Sequence, residues 1–236
     1  FQKEYIASKI YRKYLPSPEV NLMKLNVQGN YLGLYVNTES INKQFAKKHF
    51  DYDDGALFKC DDSSMFCDTT GTPPGGYAGL TWNGSSDSTL YYSSYNIKSN
   101  HGWKEFIDMI YALNFTPNNL DSFLNIDRAL WAFAVNTVIG NFDSYNGYYV
   151  HNYYMYQNED NLFQMIPWDL SQSFINALLG WDIFTPLGPT HPTQYDPYYG
   201  SDPTLLRPLT EFLFNNAEYR RQYTAHLRTV INELDT

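Results

Sequence analysis

The chain has 236 residues, 43% of them hydrophobic and 18% aromatic, enough apolar material for one large core or a core with a small lobe, which excludes long disorder. Its formal net charge of −9 excludes non-specific binding to nucleic acid, because that needs clustered Lys and Arg against phosphate; an acidic face attracts basic partners instead. No apolar run approaches the roughly 20 residues that cross a bilayer as a helix.

Tyr5, Ile6, Ile10, Tyr11 and Leu15 recur at helical spacing until Pro16 and Pro18 stop the pattern, which predicts an opening helix. There is no initiator Met, and Phe1 reads as a cut inside a longer protein. VNLMKLNVQGNYLGLYVN predicts a hairpin about Gln28-Gly29-Asn30, INKQFAKKHF a short basic amphipathic helix, and GALFKC a strand bounded by Gly55 and Cys60. Residues 61 to 94 are rich in Asp, Ser, Thr, Gly and Pro. They predict either a surface excursion whose tyrosines and Trp82 pack locally, or a linker between domains.

Two cysteines, Cys60 and Cys67, stand in KCDDSSMFC without a second Cys/His pair. The spacing argues against zinc and for a small-loop disulfide, with two buried free thiols as the other state. Asn83-Gly84-Ser85 and Asn114-Phe115-Thr116 match the glycosylation triplet and lean toward an extracytoplasmic setting.

Helical periodicity returns in HGWKEFIDMIYALN, with Trp103, Phe106, Ile107, Ile110 and Leu113 on one face. DSFLNIDRALWAFAVNTVIG follows, with Asp121 as the expected N-cap, and its second half is apolar nearly all round, as in the buried spine of a domain. NYYMY and FQMIPW, joined by QNEDN, predict a second hairpin. A Pro-, Gly- and Tyr-rich loop from about 179 to 203 then leads to two closing helices, PLTEFLFN and AEYRRQYTAHLRTVINEL.

Asp143 follows the apolar helix and Asp169 follows the second hairpin, so both leave stiff segments that hold their side chains in place. With Asn152 they form a set of hard oxygen donors suited to Mg²⁺ bridging phosphates. In protein kinases a catalytic acid, a metal-binding Asn and a metal-binding Asp leave consecutive segments around a hairpin in the same order. Two other readings of these residues stand beside that one. Asp143 and Asp169 also fit an Asx-turn and a helix cap, and paired carboxylates among abundant aromatics fit a glycoside hydrolase.

GNYLGLYVNTESIN, GALFKC, GNFDSY, HNYYMY and IPWDLSQSF, in that order, resemble the motif series of the CotH kinase family, and the likeness runs on to RPLTEFLFNNAEYRRQYTAHL. The resemblance implies an α+β, atypical protein-kinase-like fold over residues 1–236. Roughly 1–98 would be the small-lobe, nucleotide-side part and 99–236 the helical catalytic lobe. The N-terminal part of the small lobe, with a lysine-bearing strand, would lie upstream of Phe1.

The resemblance further implies a Ser/Thr protein kinase that is secreted, at the cell surface or coat-associated, and that uses ATP with Mg²⁺ or Mn²⁺. The acidic balance of the chain makes a Ser-rich basic protein segment the expected substrate. Matched by motif, Asp143 is the catalytic acid, Asn152 and Asp169 hold metal, and Lys59, Glu39 and Glu4 lie on the nucleotide side. Some family members act as adhesins, so a non-catalytic surface-binding module on the same scaffold is the second reading.

Overall fold

The computed structural model describes residues 2–61, 78–174 and 195–235. It is of α+β type, with an isolated two-stranded sheet, a four-stranded sheet and six α-helices among the described residues.

Helix α1 (Gln2–Tyr11) buries Ala7, Ser8, Ile10 and Tyr11. Ile6 is exposed, so small residues line the inward stripe where the sequence pattern had placed Ile6. Strands β1 (Val20–Val27) and β2 (Asn30–Thr38) form the expected first hairpin. Gln28 and Gly29 both take positive φ, 51° and 83°, the requirement of a two-residue turn whose twist matches its strands. Helix α2 (Lys43–Phe50) is capped by the Asn42 side chain, which accepts from the Gln44 and Phe45 amides. Its basic last turn, Lys47, Lys48 and His49, complements the negative end of the helix dipole.

The four-stranded sheet runs β4-β3-β5-β6, all antiparallel, from β3 (Leu57–Cys60), β4 (Tyr95–Ile97), β5 (Tyr153–Gln157) and β6 (Phe163–Pro167). It takes strands from both sides of residue 98. On one face Leu57, Tyr154, Tyr156 and Ile166 pack on Ile41, Phe45 and Ala46 at and beside α2. On the other, Phe58, Cys60, Tyr153, Met155, Phe163 and Met165 join the main core with α3 (Trp103–Phe115) and α4 (Ile126–Val138). Cover on both faces explains why these strands read as continuous apolar runs. The three residues of β4 come directly after the polar excursion and are too few to carry a strand signal of their own.

Asp121 is not the cap of α4. It sits in a 3-10 turn, Pro117–Ser122, and Asn125 caps the helix by accepting from the Arg128 amide. The reason lies in the sheet: Phe163 N donates to Phe123 O, and Asn125 N donates to Phe163 O. The chain at 123–125 therefore runs extended beside β6 before it can coil. Within the excursion, Trp82 packs against Tyr91, Tyr111 and Phe115, the local packing that its aromatics suggested. Helix α5 (Pro208–Asn215) leads into α6 (Ala217–Leu234), which lies along α4. No described helix is long and apolar enough to cross a membrane.

The expected Cys60–Cys67 disulfide is not supported at its first half. Cys60 is a free thiol with no exposed surface, turned into the core at the end of β3, where burial pushes its pKa up. Cys67 lies outside the described residues. The Asn114 triplet is likewise built inward: its amide donates to Leu80 O and Ile110 O and accepts from Trp82 N.

Candidate active site

The sheet register brings one end of three strands into line. Cys60 pairs with Tyr153, and Tyr153 with Pro167, so the next residues in each chain, Asp61, Asn152 and Trp168, form a row at that end. Trp168 N donates to Asn152 O at 3.1 Å, and Asp169 follows directly. Asn152 and Asp169 both occupy the left-handed region, with φ of 59° and 44°. Such backbone strain is uncommon outside Gly and gathers at functional sites.

Asp143 reaches this row from the loop after α4. Its Oδ1 accepts from His151 Nε2 at 2.5 Å, and its Oδ2 accepts from Asn152 Nδ2 at 3.0 Å. The two donor nitrogens lie 3.1 Å apart and converge on the same carboxylate. His151 faces a second acid on its other side, with Nδ1 3.5 Å from Asp61 Oδ1, an ion-pair distance without hydrogen-bond alignment. Asp61 in turn pairs with Lys59. Burial works to lower the pKa of His151, yet the carboxylates of Asp143 and Asp61 outweigh it and push the value up to about 9. His151 and Lys59 together pull Asp61 down to about 2 against the opposing effect of burial. At neutral pH Asp61 is therefore ionised and His151 protonated, so opposite charges meet inside the row.

The loop that presents Asp143 is fixed by buried amides. Asn141 Nδ2 donates to Asn136 Oδ1, Asn136 Nδ2 to Asn146 Oδ1, and Asn146 Nδ2 to Phe133 O and Thr137 Oγ1, all between 3.0 and 3.2 Å. Tyr11 of α1 closes the network on Asn136. Arg207, only 4% exposed, donates to the carbonyls of Tyr145, Gly147 and Tyr148. Gly147 is required there, since a Cβ would meet Phe142 O at 2.0 Å. Satisfied networks of this kind rigidify what they hold.

Of the residues singled out in the sequence, Asp143 and Asn152 are in direct contact and Asp169 is next to them. Lys59 reaches the group through Asp61 and His151. Glu4 accepts from Thr38 Oγ1 at 2.6 Å and lines a small cleft with Thr38, Trp168 and Asp169. Glu39 lies apart from them. It accepts from Glu19 N and Lys48 Nζ, both at 3.0 Å, and ties the first hairpin to α2. His151, Asp61 and the Asn136–Asn141–Asn146 network were not singled out in the sequence. The adjacency of His151 to Asn152 and of Asp61 to the β3 strand was the available signal.

Among the described residues no group of three or more His, Cys, Asp or Glu is arranged to hold a metal ion by itself. The donor chemistry at the mouth of the β5–β6 hairpin nonetheless fits a hard divalent cation that takes further oxygens from phosphate and water. The Asn152 amide nitrogen is committed to Asp143, which leaves its carbonyl oxygen for a ligand. Asp169 is exposed and has one oxygen engaged by Ser171 N at 3.3 Å.

Compared with known proteins, residues 3–234 match the family model described as CotH kinase protein. Inner spore coat protein H of Bacillus subtilis (strain 168) is 24% identical over 233 residues, which cover 93% of this chain and 55% of that relative. The chain thus spans little more than half the length of the curated relative it matches.

Proposed function

Because the chain belongs to the CotH kinase family, we propose that it transfers phosphate from ATP to a Ser or Thr hydroxyl of a protein, on an atypical kinase-like scaffold. The observation that carries the reading is the cluster at the mouth of one buried hairpin: Asp143 bonded to Asn152, with Asp169 one residue beyond the Trp168–Asn152 hydrogen bond.

Asp143 takes the acceptor hydroxyl. Each of its oxygens receives one donor from His151 or Asn152, and a carboxylate oxygen has a second lone pair to offer. The acceptor oxygen bonds to the γ-phosphorus as the bond from that phosphorus to the β,γ-bridging oxygen breaks, ADP leaves with the electron pair, and the hydroxyl proton passes to Asp143. Asp169 and the Asn152 amide oxygen are the holders of a Mg²⁺ or Mn²⁺ ion, which when bound neutralises the β- and γ-phosphates. Glu4, in the cleft that Asp169 lines, is placed to meet the nucleotide side. The loose transition state asks for positioning and charge neutralisation, and the locked 141–149 loop supplies positioning.

The relative's name, a spore coat protein, supports a coat-associated setting, and the net charge of −9 supports a basic substrate segment. Incubation with γ-labelled ATP, Mg²⁺ or Mn²⁺ and a basic Ser-rich protein tests the reading. Label is expected in the protein or the substrate and lost with Asp169→Asn. No incorporation by the unaltered protein with either metal overturns it.

A further inference from the structure

Two features of the described residues go beyond the proposed transfer: an apolar surface, and the Lys59–Asp61–His151 part of the charged chain that leads to Asp143. The apolar feature, the two faces of the first hairpin, has nothing beside it that identifies an occupant. The charged chain is built in detail.

His151 is 6% exposed and has a carboxylate at each ring nitrogen, Asp143 at Nε2 and Asp61 at Nδ1. The ring is thus held between two acids, by a hydrogen bond to Asp143 on one side and at ion-pair distance from Asp61 on the other. The groups around it are those of β3 and of the chain entering β5. Lys59 sits on Asp61, Asn152 shares Asp143 with His151, and Tyr149 has its ring tilted against the imidazole, 6.1 Å away centroid to centroid. Lys59 and Asp61 are each about a quarter exposed, at 27%, and Lys59 has its ammonium committed to Asp61. A phosphate oxygen at Lys59 would have to compete with that contact.

Resting on the kinase reading above, we infer that His151 is the positioning residue of Asp143, that Asp61 orients His151 from behind, and that Lys59 acts on turnover through Asp61 and makes no contact with the nucleotide. The chain Lys59–Asp61–His151–Asp143 keeps the acceptor-binding carboxylate in one rotamer. This assigns roles to His151 and Asp61 and moves Lys59 from the nucleotide to the acceptor side.

The test separates binding from chemistry in the full protein. His151→Ala, His151→Gln, Asp61→Asn and Lys59→Met are compared for metal-dependent ATP affinity and for kcat of phosphate incorporation. His151→Ala is expected to lower kcat by about 10- to 100-fold with ATP affinity within threefold, by analogy with the losses seen when partners that orient a functional ligand are removed. His151→Gln, which keeps a donor near the Nε2 position, should recover at least part of that loss. Lys59→Met should lower kcat by less, again without a change in KM for ATP.

Histidine ¹⁵N–¹H spectra of the unaltered protein should show an exchange-protected imidazole N–H that disappears with Asp143→Asn, whatever the activity. Turnover of His151→Ala within twofold of the unaltered enzyme overturns the inference. So does a rise in KM for ATP with Lys59→Met at unchanged kcat, which returns Lys59 to the phosphates. If the unaltered protein incorporates no phosphate although the protected N–H is present, the kinase reading itself fails and the chain is a structural contact only.

Discussion

The two long hairpins of this molecule are alike in sequence and opposite in circumstance. β5 and β6 are buried at nearly every position, with helices over one face and α2 over the other. β1 and β2 are exposed at most positions, and Leu22, Met23, Val27, Tyr31, Leu32, Leu34 and Tyr35 all show large fractions of their surface. The first hairpin is held near its base, by Val20 in the core and by Lys48 bridging Glu19 and Glu39. The second can hold Asn152 and Asp169 in strained left-handed conformations because packing on both faces determines its path. In the open hairpin the left-handed residues, Gln28 and Gly29, are confined to the tight turn that requires them.

The comparison is broken most sharply at the mouth of the buried hairpin. Asp169→Asn removes the negative charge on the proposed cation, and phosphate incorporation should fall by about 10³ or more together with metal-dependent ATP binding. Asp143→Asn should leave ATP affinity within a few-fold and lower turnover by about 10², as for loss of a general base. Titrating each purified variant with ATP and Mn²⁺, beside the incorporation assay, reads the two effects apart. Both variants should remain folded, and if either unfolds, the residue is a turn or cap residue first.

The sequence shows both hairpins and places Asp143, Asn152 and Asp169 at the exits of stiff elements, because apolar periodicity and turn residues are local signals. It does not show which hairpin is covered. Apolar residues in VNLMKLNV and in NYYMY look alike, and cover is decided by elements far away in the chain. The same holds within the site. Asp61 meets His151 only because β3 pairs with β5, a register no local pattern states. Asp121 has the chemistry of an N-cap, yet Asn125 takes that place once Phe163 pulls residues 123–125 straight.

The buried hairpin also offers a direct stability test. Met155 has no exposed surface and sits mid-strand in the main core. Met155→Ala should cost about 2–5 kcal/mol by lost transfer energy and cavity formation, measured by urea denaturation with an unchanged m-value. A cost below ~1 kcal/mol would mean that the sheet is less tightly covered than its burial indicates.

The charged chain at the hairpin mouth sets a pH dependence. The pKa of His151 is raised in the folded protein from 6.5 to about 9, so its contribution is complete below about 6.5 and is lost as pH rises through about 9. Asp61 is lowered to about 2 from 3.8; its contribution is present above about 3.8 and is lost as pH falls toward 2. Unfolding free energy should therefore decline by up to ~3 kcal/mol between pH 6.5 and 9.5. Asp143→Asn should flatten that decline, and an unaltered alkaline slope in this variant would remove the His151–Asp143 pair as its source.

The smallest effect is expected at the exposed hairpin. The register passes from Leu25↔Gly33 to Asn26↔Tyr31, so Leu32 is the extra residue of a bulge, has no cross-strand partner, and is 53% exposed. Leu32→Ser removes apolar surface that is already in water and breaks no ladder hydrogen bond. Stability should change by less than ~0.5 kcal/mol, the usual range for surface substitutions, and ATP affinity should not change. The β1–β2 turn, with Gln28 and Gly29 already in the required conformation, holds the register without help from Leu32. A loss above ~1 kcal/mol, or a shift in ATP affinity, would show that this face is covered in the working protein. The contrast between the two hairpins would then hold for the described residues alone and not for the protein at work.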